Sequence, residues 1–300
     1  MKTITHFGGL TIAVTAFTLL AVLPAGCDVI DNPVIDLGIS YRGDAAPPIF
    51  SALNSGLSHV VIEDFTAHEC GNCPPAAVLA EALAEANPER VHVIGVHAGP
   101  LAAPQSAPFD TDWTCEEAEL WWTQLAFQIN PIGRINRRGG SGAILMPTVW
   151  EAEMNLALGE PSSLHLQGMA IVDGVVGGAG SDVHIHVHGS FSADFTGELR
   201  LAVLVLESHL IGTQLNYTAD PEVVEDYEFN HMLRGSVSGG DGLPWGATGA
   251  SAGASAGDVL QADYTFGWNA EWMIENCHLL AVATNAEGEI VASLELPWAL

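Results

Sequence analysis

Up to about residue 160 the apolar positions fall into short runs and helix-like spacings; beyond it they settle into a period of two. Val60-Val61-Ile62 is a short apolar run suited to a buried strand, and Gly71 ends the pattern. From Ala76 to Ala86 the apolar and alanine positions fit an amphipathic helix. Pro74 and Pro75 stand in its first turn, where backbone N–H groups lack intrahelical partners. Asn87-Pro88-Glu89 is a turn signal, and Val91 to His97 reads as the next buried strand, so that two strands flank one helix as in a parallel crossover unit. Thr114 can cap a second helix through Ala126, whose early acids suit the helix dipole. Trp121 and Trp122 within it point in different directions, so at least one belongs to the core. A strand-like run follows Pro131, and Trp150 to Leu158 forms a closing helix.

From Leu164 the strand candidates are 164–172, 183–191, 199–207, 259–266, 278–284 and 290–296, separated by glycine-rich turns. That spacing predicts an antiparallel β-sandwich. Residues 235–257, rich in Gly, Ser and Ala with Trp245 as their only aromatic, read as a mobile surface loop. The expected organisation is a signal peptide over 1–26, a lipidated N-terminus and tether over 27–55, an α/β domain over 56–160 and a β-sandwich domain over 161–300.

The N-terminus supports the first two assignments. Met1-Lys2 is followed by an apolar run from Leu10 to Leu23, shorter than the roughly 20 residues that span a bilayer and suited to a signal-peptide core. It ends in Leu23-Pro24-Ala25-Gly26-Cys27, which resembles a bacterial lipobox with Pro24 where leucine is usual. Lipidation of Cys27 would make the lipid bilayer the first partner; ordinary cleavage nearby, with Cys27 free, is the alternative. The 300 residues carry 36 acids and 8 bases, a formal charge of −28. The only lysine is Lys2, inside the leader. Such a surface repels nucleic acid and anionic headgroups, so nucleic acid is not an expected partner.

The chemistry-bearing stretch is Asp64-Phe65-Thr66-Ala67-His68-Glu69-Cys70-Gly71-Asn72-Cys73, a Cys-x-x-Cys at the start of a helix. The helix dipole and its unpaired N–H groups stabilise a thiolate there. A thiolate attacks disulfides, and two cysteines at this spacing can also close on each other. Cys70 is expected to be the more exposed of the pair, Cys73 the resolving one. The segment resembles thioredoxin-like proteins. That resemblance implies a thioredoxin-like fold for 56–160, with Asp64 buried beneath the pair to move its protons, and a cis-proline against it. Pro131 is the candidate for that proline and Pro147 its competitor. It also implies possible substrates, namely protein thiols or disulfides, with a redox-active disulfide and no other cofactor. A fixed structural disulfide on the same scaffold is the alternative. Arg134, Arg137 and Arg138 either pair with the chain's own acids or draw acidic substrates to the dithiol.

Tyr227-Glu228-Phe229-Asn230-His231-Met232-Leu233-Arg234 adds a more distinctive motif. Together with the lipobox, Glu63-Asp64-Phe65-Thr66 and Cys-Gly-Asn-Cys-Pro, it resembles the thioredoxin-like outer-membrane lipoproteins related to the twenty-eight-kilodalton outer-membrane protein. The resemblance implies a lipid-anchored place in the cell envelope of a Gram-negative-type bacterium, at the outer membrane, and leaves the activity open.

Two further groups stand out. His184, His186 and His188 alternate along one strand and so share a face. They could hold zinc or copper if their nitrogens reach one ion at about 2.0–2.1 Å; otherwise Ile185 and Val187 point inward and the imidazoles face water. Cys115 and Cys277 form a disulfide between the domains or remain two buried thiols. If Cys27 is lipidated, four cysteines remain, an even number compatible with disulfides outside the cytoplasm.

Overall fold

The computed structural model describes residues 39–51, 56–140, 142–174, 181–249 and 252–299. The leader, Cys27 and most of the expected tether lie outside them. Among the described residues three α-helices, α1 (Cys73–Glu85), α2 (Glu116–Gln124) and α3 (Trp150–Gly159), accompany sixteen strands. The first half holds β1 (Val60–Thr66), β2 (Val91–His97) and β3 (Ile132–Ile135). Then come β4 (Leu164–Asp173), β5 (Asp182–Phe191), β6 (Phe195–Thr196), β7 (Arg200–Glu207), β8 (Leu210–Leu215), β9 (Val223–Phe229), β10 (Met232–Ser236) and β11 (Leu243–Pro244). The last are β12 (Gly253–Ala254), β13 (Val259–Gly267), β14 (Cys277–Thr284), β15 (Ile290–Leu296) and β16 (Trp298–Ala299). The result is a mixed α/β fold made mostly of sheet.

β1 is buried along its whole length, as expected of a central strand covered on both faces. It runs parallel to β2, from Val60 opposite Val91 to Thr66 opposite His97, and antiparallel to β3, with Phe65 opposite Ile132. α1 buries Cys73, Pro74, Ala76, Ala80 and Leu83, a helical spacing, and begins on its two prolines. α1 and α3 share one apolar cluster with β1, β2 and β3, containing Ile62, Leu83, Trp150 and Met154. On the other face α2 contributes both Trp121 and Trp122 to a second cluster with Phe65, Ile94 and Leu204.

The sheet does not stop where the sequence suggests a boundary at residue 160. Its order is β15-β14-β7-β10-β2-β1-β3, with β11 on β7, so strands from both halves bond into one sheet. The junction is Met232 of β10, parallel to Gly95 of β2. An uncovered β2 edge would present unpaired backbone groups, and β10 lies against it. Periodicity identifies strands and faces but not partners, so this crossover had no local signal.

A second sheet has the order β13-β5-β4-β16. Leu166, Val183, Ile185 and Val187 from it share one core with Val203, Val205, Leu279 and Ala281 of the long sheet. The glycine-rich 235–257 stretch is tied down rather than loose over its described residues. β11 and β12 pair with β7 and β6, and Trp245 is buried over Gly189, where a Cβ would lie 2.4 Å from the ring.

Candidate thiol–disulfide site

β1 delivers Thr66 to a loop, and the loop delivers Cys70 to the start of α1. Cys70 and Cys73 are joined by a disulfide, their Cα atoms 5.3 Å apart. Both are buried, Cys70 at 4 % and Cys73 at 1 % exposure, so Cys70 is the more exposed of the two by only a small margin. Two segments cover it. On one side, the Glu69 N–H donates to the Leu101 carbonyl, Ala102 packs with both cysteines, and Phe109 stacks on His68. On the other, the β8–β9 hairpin lies along the loop. The N–H groups of Leu215 and Tyr217 donate to the carbonyls of His68 (2.8 Å) and Gly71 (2.9 Å), and the Gln214 amide donates to those of Ala67 and Cys70.

Asp64 is buried on β1, and its register partners on β2 and β3 are both glycines, Gly95 and Gly133. Burial pushes its carboxyl up from the ordinary aspartate value of 3.8 to about 7, and its Oδ1 has no hydrogen-bond partner. Asp64 and Cys73 line the same pocket of about 60 Å³, with Glu81, His97, Gln214 and Tyr227 also in its wall. Since a water needs roughly 10–15 Å³, the pocket has room for a few. Burial holds His97 at about 3, a neutral imidazole, and its ring meets Phe229 edge-on at 5.2 Å. Burial, then the charges of Asp64 and Glu81, raises the Tyr227 hydroxyl, which places that phenol within the field of both carboxyls. The pocket thus holds a carboxyl whose proton affinity is raised by burial in the same wall as one cysteine of the disulfide.

The Asn130–Pro131 bond is cis, one residue before Ile132 pairs with Phe65; Pro147 instead opens a short 3₁₀ turn and is not among the cis prolines. The arginines near it serve the chain's own acids. Glu63, wholly buried on β1, takes Arg134 Nε on one oxygen and Arg137 Nη2 on the other (2.7 Å), while Arg138 pairs with Glu160 at the surface.

Cys115 and Cys277 are both free. They border separate apolar clusters, Cys115 that of α2 and Cys277 that shared by the two sheets, so the anticipated interdomain disulfide is not formed. Burial pushes both thiols up to about 12, which keeps them protonated and unreactive. His184, His186 and His188 do share a face, but it is buried, not wet. Tyr41 meets the rings of His184 and His186 edge-on, and Phe50 lies beside His188. Each of the first two has separate partners: Thr265 and Asp173 for His184, Asp263 for His186. Among the described residues no group of three His, Cys, Asp or Glu side chains is arranged to hold a metal ion.

The residues that sequence reading missed are Gln214 and Tyr217; Tyr227 stood in a motif noted for its distinctiveness, but without a place at this site. The contacts of Gln214 and Tyr217 with the Cys-x-x-Cys loop span well over a hundred positions, and nothing in their local pattern marks them.

No protein-family model matches the chain, and no curated protein does. Solved structures do. HBP35 of Porphyromonas gingivalis superposes with a TM-score of 0.59 at 17% sequence identity, over 81% of this chain and 76% of its own, a likeness of fold. A domain of the outer membrane lipoprotein Omp28 of the same organism is also a neighbour, at 15% identity and a TM-score of 0.27, over 46% of this chain and 92% of that domain. A protein of Agrobacterium tumefaciens gives a TM-score of 0.45 at 14% identity, over 80% of this chain and 94% of that one.

Proposed function

We propose that the chain is a lipid-anchored cell-envelope protein that performs thiol–disulfide exchange on extracytoplasmic polypeptides. The observation that carries this reading is the shared pocket of Asp64 and Cys73. A staple has no use for a buried carboxyl with an unsatisfied oxygen, which costs stability. An exchanging pair does, because one of its thiols must lose a proton to close the disulfide. The envelope location is supported by the leader and by the Cys27 motif.

In the forward direction the reduced Cys70 thiolate attacks a substrate disulfide. One substrate sulfur leaves as a thiolate and takes up a proton, and a mixed disulfide joins Cys70 to the other. Asp64 as carboxylate accepts the Cys73 proton through the pocket. Cys73 Sγ then attacks Cys70 Sγ, restoring the bond seen here and releasing the second substrate thiol. The substrate gains two electrons and two protons, and the protein dithiol loses them. An envelope dithiol then re-reduces the protein by the reverse steps.

The second reading, a non-exchanging staple in a surface binding or structural lipoprotein, is favoured by the burial of both sulfurs. A Cys73→Ala variant separates the two. Incubated with a disulfide-bearing polypeptide, it should accumulate a mixed disulfide through Cys70, visible by mass under non-reducing conditions. If Cys70 stays a free thiol, yet reacts fully once the protein is unfolded, the staple reading prevails.

A further inference from the structure

We propose that residues 214–217 are a built-in cover occupying the place where an extended substrate segment lies, so that the disulfide becomes reachable only when the β8–β9 hairpin lifts. The inference rests on the exchange reading above and names both its substrate class and its gate.

The contacts have the form of strand addition. Leu215 and Tyr217, two residues apart, turn their N–H groups to the carbonyls of His68 and Gly71, which flank Cys70. This is how an extended chain with period-two donors pairs with an exposed backbone edge. Gln214 reinforces it through the Ala67 and Cys70 carbonyls, at 3.3 and 3.2 Å. Tyr217 lies over Gly71, the first of the two residues between the cysteines. A Cβ there would stand 2.6 Å from the ring carbons, so the absence of a side chain at Gly71 lets the ring settle. The ring is itself 55% exposed, which makes it a lid over the loop rather than a piece of core.

The hairpin is also built to move by itself. Among the described residues β8 and β9 form a separate two-stranded sheet with no ladder to any other strand. An isolated hairpin is marginal in water, and local openings of this kind cost less than global unfolding. Its base is held by Trp113, Phe229 and Met232, while its outer residues Glu222, Glu225 and Asp226 add charge of the sign that already dominates the chain. A substrate polypeptide with a flat or small side chain near its cystine could take over the His68 and Gly71 carbonyls and hold the cover open. Small thiols without peptide groups lack the backbone donors to do so.

A neutral trialkylphosphine tests the cover without requiring any exchange activity. The phosphorus lone pair attacks Cys70 Sγ and the Cys70–Cys73 bond breaks, releasing the Cys73 thiolate. Water then cleaves the phosphorus–sulfur bond, giving the phosphine oxide and two thiols. The reduction rate is read by alkylation and mass for the wild type, for Tyr217→Ala, and for Gln214→Ala with Tyr217→Ala; Gly71→Ala, which pushes the ring away, provides an independent variant. Losing the two Gln214 hydrogen bonds to the loop and the Tyr217 ring contact should speed reduction by about tenfold or more in the double variant. Unfolding midpoints should stay close to wild type. Equal rates in all four proteins would overturn the cover. So would a wild-type rate that rises with urea only in step with global unfolding.

A second arm uses an oxidised peptide containing one disulfide, against the reduced proteins. Faster exchange by the hairpin variants supports the proposal. Equally fast exchange by the wild type overturns the cover and leaves the exchange reading intact. Phosphine reduction faster in the hairpin variants than in the wild type, with no peptide exchange by any of the proteins, supports the cover and overturns the exchange reading.

Discussion

Replacing Glu63 with glutamine should lower the free energy of unfolding by about 3–5 kcal/mol, the usual effect of removing one partner from a buried ion group. Glu63 is wholly buried and is shared by two guanidinium groups, themselves nearly sealed from solvent. Arg134 lies over Phe65 at 4.9 Å, and Arg137 over Trp121 at 4.4 Å, so both cations are fixed by aromatic faces as well as by the acid. Burial pushes the Glu63 carboxyl up, but the two arginine charges and their hydrogen bonds outweigh it and leave the group below the ordinary carboxylate range. Its contribution is therefore present above the unfolded-state value and is lost as pH falls through the lower folded-state value. In the variant, two positive charges share one neutral amide. Urea unfolding at neutral pH measures the loss, and a change under about 1 kcal/mol would mean that the arginines find other partners.

Asp64→Asn should do the reverse, by an amount that grows as the pH rises from about 4 to about 8. The wild-type carboxyl is lifted from 3.8 to about 7 by burial alone. A raised acid favours the folded state below the unfolded value, and that advantage is lost as pH climbs through the folded value. Across that window the wild type should lose on the order of 4 kcal/mol relative to the asparagine variant, taking 1.36 kcal/mol for each unit of pKa. The two unfolding curves should approach a constant offset below about pH 4 and diverge between about pH 4 and 8, with the variant ahead on the alkaline side. Parallel curves across that range would show that Asp64 is ionised in the fold at its ordinary value. The same substitution should slow exchange, because no carboxylate then takes the Cys73 proton. A gain in stability with a loss of activity is the signature of a group kept for chemistry.

The strand–helix–strand unit was readable because each of its elements carries its own signal. The apolar run at Val60, the prolines before Ala76 and the run from Val91 to His97 lie within a few residues of the observed boundaries. The strands at 164–173 and 182–191 were readable from their period for the same reason. Pairing was not. Met232 sits in a segment with no strand-like run, yet it joins the two halves of the sheet through Gly95. Alternation placed the three histidines on one face, but their burial depends on Tyr41 and Phe50, which come from a stretch that reads as a tether. At the site, the Cys-x-x-Cys and Asp64 were legible because the motif is local. The cover over Cys70 was not, because hydrogen bonds from Leu215 and Tyr217 to a loop near residue 70 leave no mark in the intervening pattern. Glu63 shows the same limit: a charged residue inside an apolar run announces that something must compensate it, without saying that Arg134 and Arg137 do.

The claim that matters most is that the Cys70–Cys73 bond opens and closes as part of the protein's work. Equilibrating the full chain with graded mixtures of reduced and oxidised glutathione, then trapping and counting thiols by mass, tests it directly. The account predicts a midpoint potential above about −300 mV, within reach of envelope dithiols. A couple still fully oxidised in mixtures more reducing than about −300 mV would place it among structural disulfides and contradict the account.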